Sequence, residues 1–347
     1  MRVPNLGRPT QDARSLGSRS TPRALILIYH RVAGLPLDPQ LLCVTPQHFA
    51  KHLELLRKSY RPMPLQQLIR ALQNGNVPDR AVVITFDDGY ADSLSSAKPL
   101  LQRYDVPATV FVVAGYVGQQ REFWWDELER LFLRPGVLPE ALCLDMNGTH
   151  QWDMGEAAHY NQQVYEHHRQ WNVEEEQDPT HRQRLYRSLC ELLRPLPDEE
   201  RRKLLDELLA WAGAEPTARP THRALSPEEV IPLAEGGLVE VGAHTMTHPV
   251  LSLLPVAAQR DEIQQSKARL EEILGLPVTS FAYPYGTASD YTLETVSLVR
   301  EVGFACACAN FADIVRPSTD HFQLPRVLVR NWDGDELDRR LEGWFCD

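Results

Sequence analysis

The sequence predicts an α/β fold: a parallel barrel of seven strand-helix units that carries a mostly helical insertion. Three observations predict it. Short, near-continuous apolar runs recur along the 347 residues, as parallel strands covered on both faces require. Segments with apolar residues at three- and four-residue intervals separate them, the signature of helices packed on one side. One connection, about residues 116–237, is too long for a loop and must carry structure of its own.

In chain order, the strands are expected in "ALILIYH" (24–30), "AVVITFDD" (81–88), "ATVFVVAG" (108–115), "LVEVGAHT" (238–245), "SFAYPYG" (280–286), "FACACAN" (304–310) and "QLPRVLVR" (323–330). Helices are expected at 46–60, 64–72, 226–237, 257–275 and 291–303. Ser226-Pro227-Glu228 reads as a helix start, and Gly275 and Gly303 read as stops. Strands alternating with helices favour a βα barrel over an open sheet. The insertion holds "FWWDELERLFL" (123–133), the His-rich "AAHYNQQVYEHHRQW" (157–171) and a charged helical run at 178–213. It is expected as a cap on one end of the barrel, with Trp124 and Trp125 in its core and Asp126 as a first-turn or N-cap acid. His167 and His168 read as part of a solvated helix face. Residues 1–23 read as a flexible N-terminal arm, and 24–347 as one barrel domain with its insertion.

Composition is that of an ordinary globular chain, 43% hydrophobic and 24% charged. A formal charge of −11 argues against a nucleic-acid partner, which needs a basic face. No apolar run reaches the roughly 18–20 residues of a transmembrane span. "ALILIY" is too short for the apolar region of a signal peptide. The expected location is therefore the cytoplasm, with membrane association only through substrate or partner; oligomeric state is not set by the sequence. The six cysteines show neither a disulfide framework nor a zinc-finger spacing, and Cys306 and Cys308 are expected as small buried apolar residues on one strand face.

Chemistry concentrates at strand ends. Asp87 and Asp88 stand side by side after an apolar strand, where mutual repulsion and burial are both costly. In "GAHTMTHPVLS", His244 ends a strand and His248 follows four residues later, with Pro249 keeping His248 out of helical geometry. In a parallel barrel the strand ends converge on one face. Two neutral imidazoles and one carboxylate suit a divalent transition metal with open positions. Such a cation offsets the repulsion between the aspartates: one binds it, and the other is left beside it as a base.

"TFDDGY", "HTMTH" and "FAYPYG", in that order, resemble the polysaccharide deacetylase (NodB-homology) family of carbohydrate esterases, over roughly residues 24–330 apart from the insertion. The resemblance implies a distorted (β/α)7 TIM-like barrel and a metal-dependent hydrolase that removes N-acetyl groups from sugars. By position it implies Asp87 as general base, and Asp88, His244 and His248 as ligands of a divalent metal, most often zinc. Tyr285 in "YPYG" would wall the groove and offer its backbone N–H to an oxyanion. Two departures accompany it. The late Leu-x-His histidine of the family is absent, since His321 precedes its strand; His30, in "LIYHRV", is the candidate general acid, as in the poly-N-acetylglucosamine deacetylases with an early Tyr-His strand. Ala282 stands where the family has a base-orienting arginine, and Arg326 in "LPRV" is the candidate replacement. The expected substrate is an N-acetylated glycan, or a lipid-linked precursor in exopolysaccharide biosynthesis. Two alternatives stay open: O-acetyl ester hydrolysis at the same site, and a glycan-binding protein without activity.

Overall fold

Residues 23–145 and 148–345 are described by the computed structural model. All but the last residue of the expected arm, and Cys346, lie outside the described residues. Along the main sheet run β1 (Ala24–Tyr29), β2 (Ala81–Phe86), β3 (Ala108–Val112), β4 (Val239–Ala243), β5 (Ser280–Ala282), β6 (Cys306–Cys308) and β7 (Val327–Leu328). They lie in the order β6-β5-β4-β3-β2-β1-β7, every pair parallel. The two ends of this curled sheet meet through a parallel bridge between Cys308 and Leu324. The seven predicted strands are therefore the seven found, in a distorted (β/α)7 barrel. A further two-residue strand, Arg61–Pro62, pairs with the start of β2.

The strands separate their residues by face, as a period of two demands. Leu25, Leu27, Tyr29, Val82, Ile84 and Phe86 point outward into the layer of helices. That layer includes α1 (Pro46–Ser59), α8 (Pro227–Ala234), α9 (Val256–Leu274), α10 (Leu293–Glu301) and α11 (Gly334–Phe345). Ala24, Ile26, Val83, Phe111, Ala282, Cys306 and Cys308 point the other way and pack with α2 (Leu65–Gln73), which plugs the barrel where the strands begin. Both cysteines are fully buried on that inner face. Expected helix ends hold: Ser226 precedes Pro227 at N1 and its amide donates to the Glu229 carboxylate at 2.9 Å, while Gly275 closes α9 at φ +65°. Helices α3 (Lys98–Tyr104) and α11 were not expected. Both are short or flanked by polar residues, so their apolar period is weak.

The connection from β3 to β4 carries α4 (Trp124–Phe132), α5 (Gln162–His168), α6 (His181–Leu193) and α7 (Asp198–Ala212) before α8. It also carries two antiparallel ribbons, 136–137 with 159–160 and 141–145 with 149–153. Its own core contains Phe123, Trp124, Trp125, Leu128, Tyr186, Leu189 and Leu208. Trp124 and Trp125 thus belong to that core, as expected. Asp126 lies in the first turn of α4 but is not its N-cap, which is Phe123. Its buried carboxylate accepts a hydrogen bond from the Tyr90 hydroxyl at 2.7 Å. Among the described residues no helix is long and apolar enough to cross a membrane.

Candidate active site

The C-terminal strand ends open into a cavity of about 370 Å³. His30, Asp87, Asp88, His244, His248 and Tyr285 all line it. Six of the seven residues singled out in the sequence therefore meet in one space. The seventh, Arg326, lies behind Asp87.

Asp87 continues the inner parity of β2 and is held from β7. Arg326 donates from Nη1 to Oδ1 and from Nη2 to Oδ2, both at 2.7 Å. The same guanidinium is fixed by the Ala309 carbonyl (2.7 Å, from Nε) and the Thr85 hydroxyl (3.2 Å). Burial alone would raise the Asp87 carboxyl, but Arg326 and then His244 outweigh it and hold it below the ordinary aspartate value. A planar fork from another strand thus replaces the arginine absent at Ala282.

Strand alternation would turn Asp88 away from Asp87. It does not, because Asp88 (φ +72°) and Gly89 (φ +79°) take left-handed geometry immediately after the strand. A Cβ at Gly89 would also press on Val112 at 3.0 Å. That turn is what brings two neighbouring carboxylates to one cavity. Asp88 has no arginine fork. Burial first, then Asp87 and Asp126, push its carboxyl well above the ordinary value. Its Oδ1 faces His244 Nε2 at 3.8 Å and His248 Nε2 at 3.5 Å.

His244 Nδ1 lies 2.8 Å from the Ala282 carbonyl. With Nδ1 carrying the proton for that bond, Nε2 presents a lone pair to the cavity. His248 sits at φ +57°, out of the right-handed helical region but also away from the extended backbone that Pro249 alone favours. Burial lowers both imidazoles, for His248 with further repulsion from His244 and Arg201. Neutral histidines beside an uncompensated carboxylate are a donor set for a cation. Asp88, His244 and His248 offer ligand atoms within 4.8 Å of one another, all three residues buried. Atoms bonded to one zinc at about 2.0–2.2 Å stand roughly 3.2–3.6 Å apart, so small side-chain adjustments suffice. The residues fit a divalent metal.

Tyr285 occupies φ +59° and its ring centroid lies 4.6 Å from that of His248. His30 follows β1 directly, on the inner parity. Its imidazole is lowered to about 4, chiefly by burial and against the pull of Asp87. The other wall was not foreseen. It includes Gln40 and Leu42 from the segment after β1, Trp124 and Trp125 of α4, Arg187, Glu191 and Arg194 around α6, and Asn310 after β6. Arg194 stacks on the Tyr285 ring at 4.4 Å and pairs with Asp290 at 2.6 Å, tying cap to barrel. Trp125 does the same against His248, with ring centroids 5.1 Å apart. No single-sequence signal marks Arg187, Glu191 and Arg194, since only the docking of the cap makes them neighbours of the strand ends; Asn310 ends the sixth expected strand, and Trp125 is an aromatic of the capping segment.

The polysaccharide deacetylase family model matches residues 74–137 and 208–306, running into the cap from both ends and leaving 138–207 unmatched. A poly-β-1,6-N-acetyl-D-glucosamine N-deacetylase of Staphylococcus epidermidis is 31% identical over 108 residues, 27% of this chain and 37% of that protein. The protein of that name from Escherichia coli (strain K12) is 30% identical over 114 residues, 31% of this chain and 17% of its own. The chain spans less than half the length of these curated relatives. In fold it is similar to IcaB from Ammonifex degensii, with TM-score 0.58 at 21% identity over 94% of this chain and 98% of that one. It is also similar to the Streptococcus pyogenes deacetylase PplD, solved in complex with acetate, with TM-score 0.57 at 17% identity over 93% and 99%.

Proposed function

We propose, from the chain's kinship with the polysaccharide deacetylases, that it is a metal-dependent hydrolase releasing acetate from N-acetylated sugars of a glycan. The observation that carries this reading is the pairing of a fork-held base, Asp87, with the neighbouring Asp88-His244-His248 donor set in one cavity. Zinc is the ion that two imidazoles and a carboxylate suit best. Such an ion supplies Lewis acidity, polarising a carbonyl oxygen and lowering the pKa of water.

The chain's own residues do the rest. Asp87 is ionised at neutral pH and accepts the proton of the attacking water. Arg326 fixes the plane of that carboxylate and keeps it charged. Among the described residues the Tyr285 N–H has no backbone acceptor, and it is the donor we assign to the developing oxyanion. Burial holds the His30 imidazole low in the free protein, so its part is to relay to the departing amine the proton that Asp87 has taken from the attacking water.

Trp124, Trp125 and Tyr285 give the cavity apolar walls against which an acetyl methyl and a sugar face can rest. A glycan or a lipid-linked precursor would present the same acetamido group.

Acetate release from N-acetylglucosamine oligomers by the zinc-loaded protein tests the reaction class. A His30→Ala variant separates amide from ester chemistry. It is expected to lose roughly 10²-fold or more in kcat on N-acetyl substrates, because an amine leaves poorly without a proton. On an O-acetylated sugar the loss should be far smaller. Equal rates for wild type and variant on the amide would remove His30 from the mechanism. Turnover of the O-acetylated sugar alone would favour the esterase.

A further inference from the structure

The two proposed histidine ligands are joined by Thr245-Met246-Thr247, a loop with little freedom. Thr245 (φ +64°) and His248 (φ +57°) are both left-handed without being glycine, a geometry that persists only where the surroundings over-determine it. The surroundings here can be named. The His244 amide donates to the Val112 carbonyl at 3.0 Å, and the Thr245 and Met246 carbonyls accept from Ala114 at 3.0 Å and Gly115 at 2.9 Å. Gly115 is required for this approach, because a Cβ there would stand 2.2 Å from the Met246 oxygen. From the cap, Arg201 of α7 donates to the Thr247 carbonyl at 2.9 Å.

The outward amides of the loop remain, and one side chain takes both. Glu262, on α9, accepts from the Met246 N–H at 2.8 Å and the Thr247 N–H at 2.9 Å with one carboxylate oxygen. Its other oxygen accepts from the Thr247 hydroxyl at 2.7 Å. The Thr245 hydroxyl accepts from the His248 amide at 3.1 Å, which completes the turn.

We propose that Glu262 is a positioning residue of the metal site, setting metal affinity by clamping the loop that joins two of its ligands. The inference rests on the reading of Asp88, His244 and His248 as a metal site. Glu262 belongs to neither the donor set nor the cavity lining. It acts through the backbone of residues 246 and 247, as outer partners of ligands do when they orient the groups that bind.

The test is zinc affinity of the full, metal-free chain, measured by competition with a chromophoric chelator, for wild type, Glu262→Met and Glu262→Gln. Met keeps the length and apolar stem but removes both acceptors; Gln restores an acceptor. Glu262→Met is expected to bind zinc roughly 10- to 100-fold more weakly, with Glu262→Gln recovering much of the loss. A folded Glu262→Met that binds like wild type overturns the inference. A wild type that binds no zinc overturns the site reading, and the inference with it. Should Glu262→Met not fold, hydrogen exchange of the metal-free wild type decides. Slow exchange at residues 246 and 247 is expected, and exchange at unprotected rates there overturns the inference.

Discussion

An Asp87→Asn variant is expected to hold its metal as wild type does and to turn over ~10²–10⁴-fold more slowly. The split between binding and turnover is the point of this substitution. Asp88, His244 and His248 form the donor set without Asp87, and Asp87 Oδ2 stands 3.8 Å from His244 Nε2. Asparagine preserves the shape and can still accept one hydrogen bond from Arg326, but it cannot take up a proton from water. Metal content by elemental analysis, paired with kcat, reads both halves. Loss of metal together with activity would move Asp87 into the ligand set. Retained turnover would remove it as base.

Arg326→Met should destabilise the protein by about 3–5 kcal/mol, the cost of leaving a buried charge without its partner. Both groups are almost fully buried, so water cannot replace the lost bonds. The sign with pH follows from the direction of the shift. Asp87 is held below its unfolded value, so its pair with Arg326 contributes stability above the ordinary aspartate range, near 3.9. That stability is lost as pH falls through the lowered native value. In Arg326→Met, burial acts on Asp87 without the largest influence that opposes it. The acidic limb of kcat/KM should move to higher pH. Urea unfolding at pH 7 and pH 3 with a pH–rate profile checks both. Equal stability at pH 7 and an unmoved limb would mean that the fork does not sustain the base.

The frame of this site was legible in the sequence because its parts sit where two simple periods end. Apolar runs gave the seven strands, and Asp87, His244 and His30 follow from strand parity once the strands are parallel. Asp88 follows only from Gly89, whose neighbour in the turn breaks that parity. Arg326 could be proposed as a cation on the last strand, but its bidentate grip depends on β7 lying beside β1, a long-range fact. The hairpin at 141–145 and 149–153 does carry a sequence signal: "ALCLD" alternates, and Asn-Gly falls within the three residues between the two strands. Glu262 and Arg194 had none. The first lies 15 and 16 residues from the amides it holds, and the second reaches Tyr285 only because the cap docks over the strand ends.

On the proposed reading, one divalent ion held beside Asp87 makes this cavity a deacetylase. The most direct measurement strips the full chain of metal, returns zinc in fractional equivalents, and follows acetate release from N-acetylglucosamine oligomers at each step. The stripped protein is expected to release none, and the rate to rise with added zinc, levelling at one equivalent per chain. Release at full rate without metal, or none from any N-acetylated glycan with zinc bound at one equivalent, would contradict it.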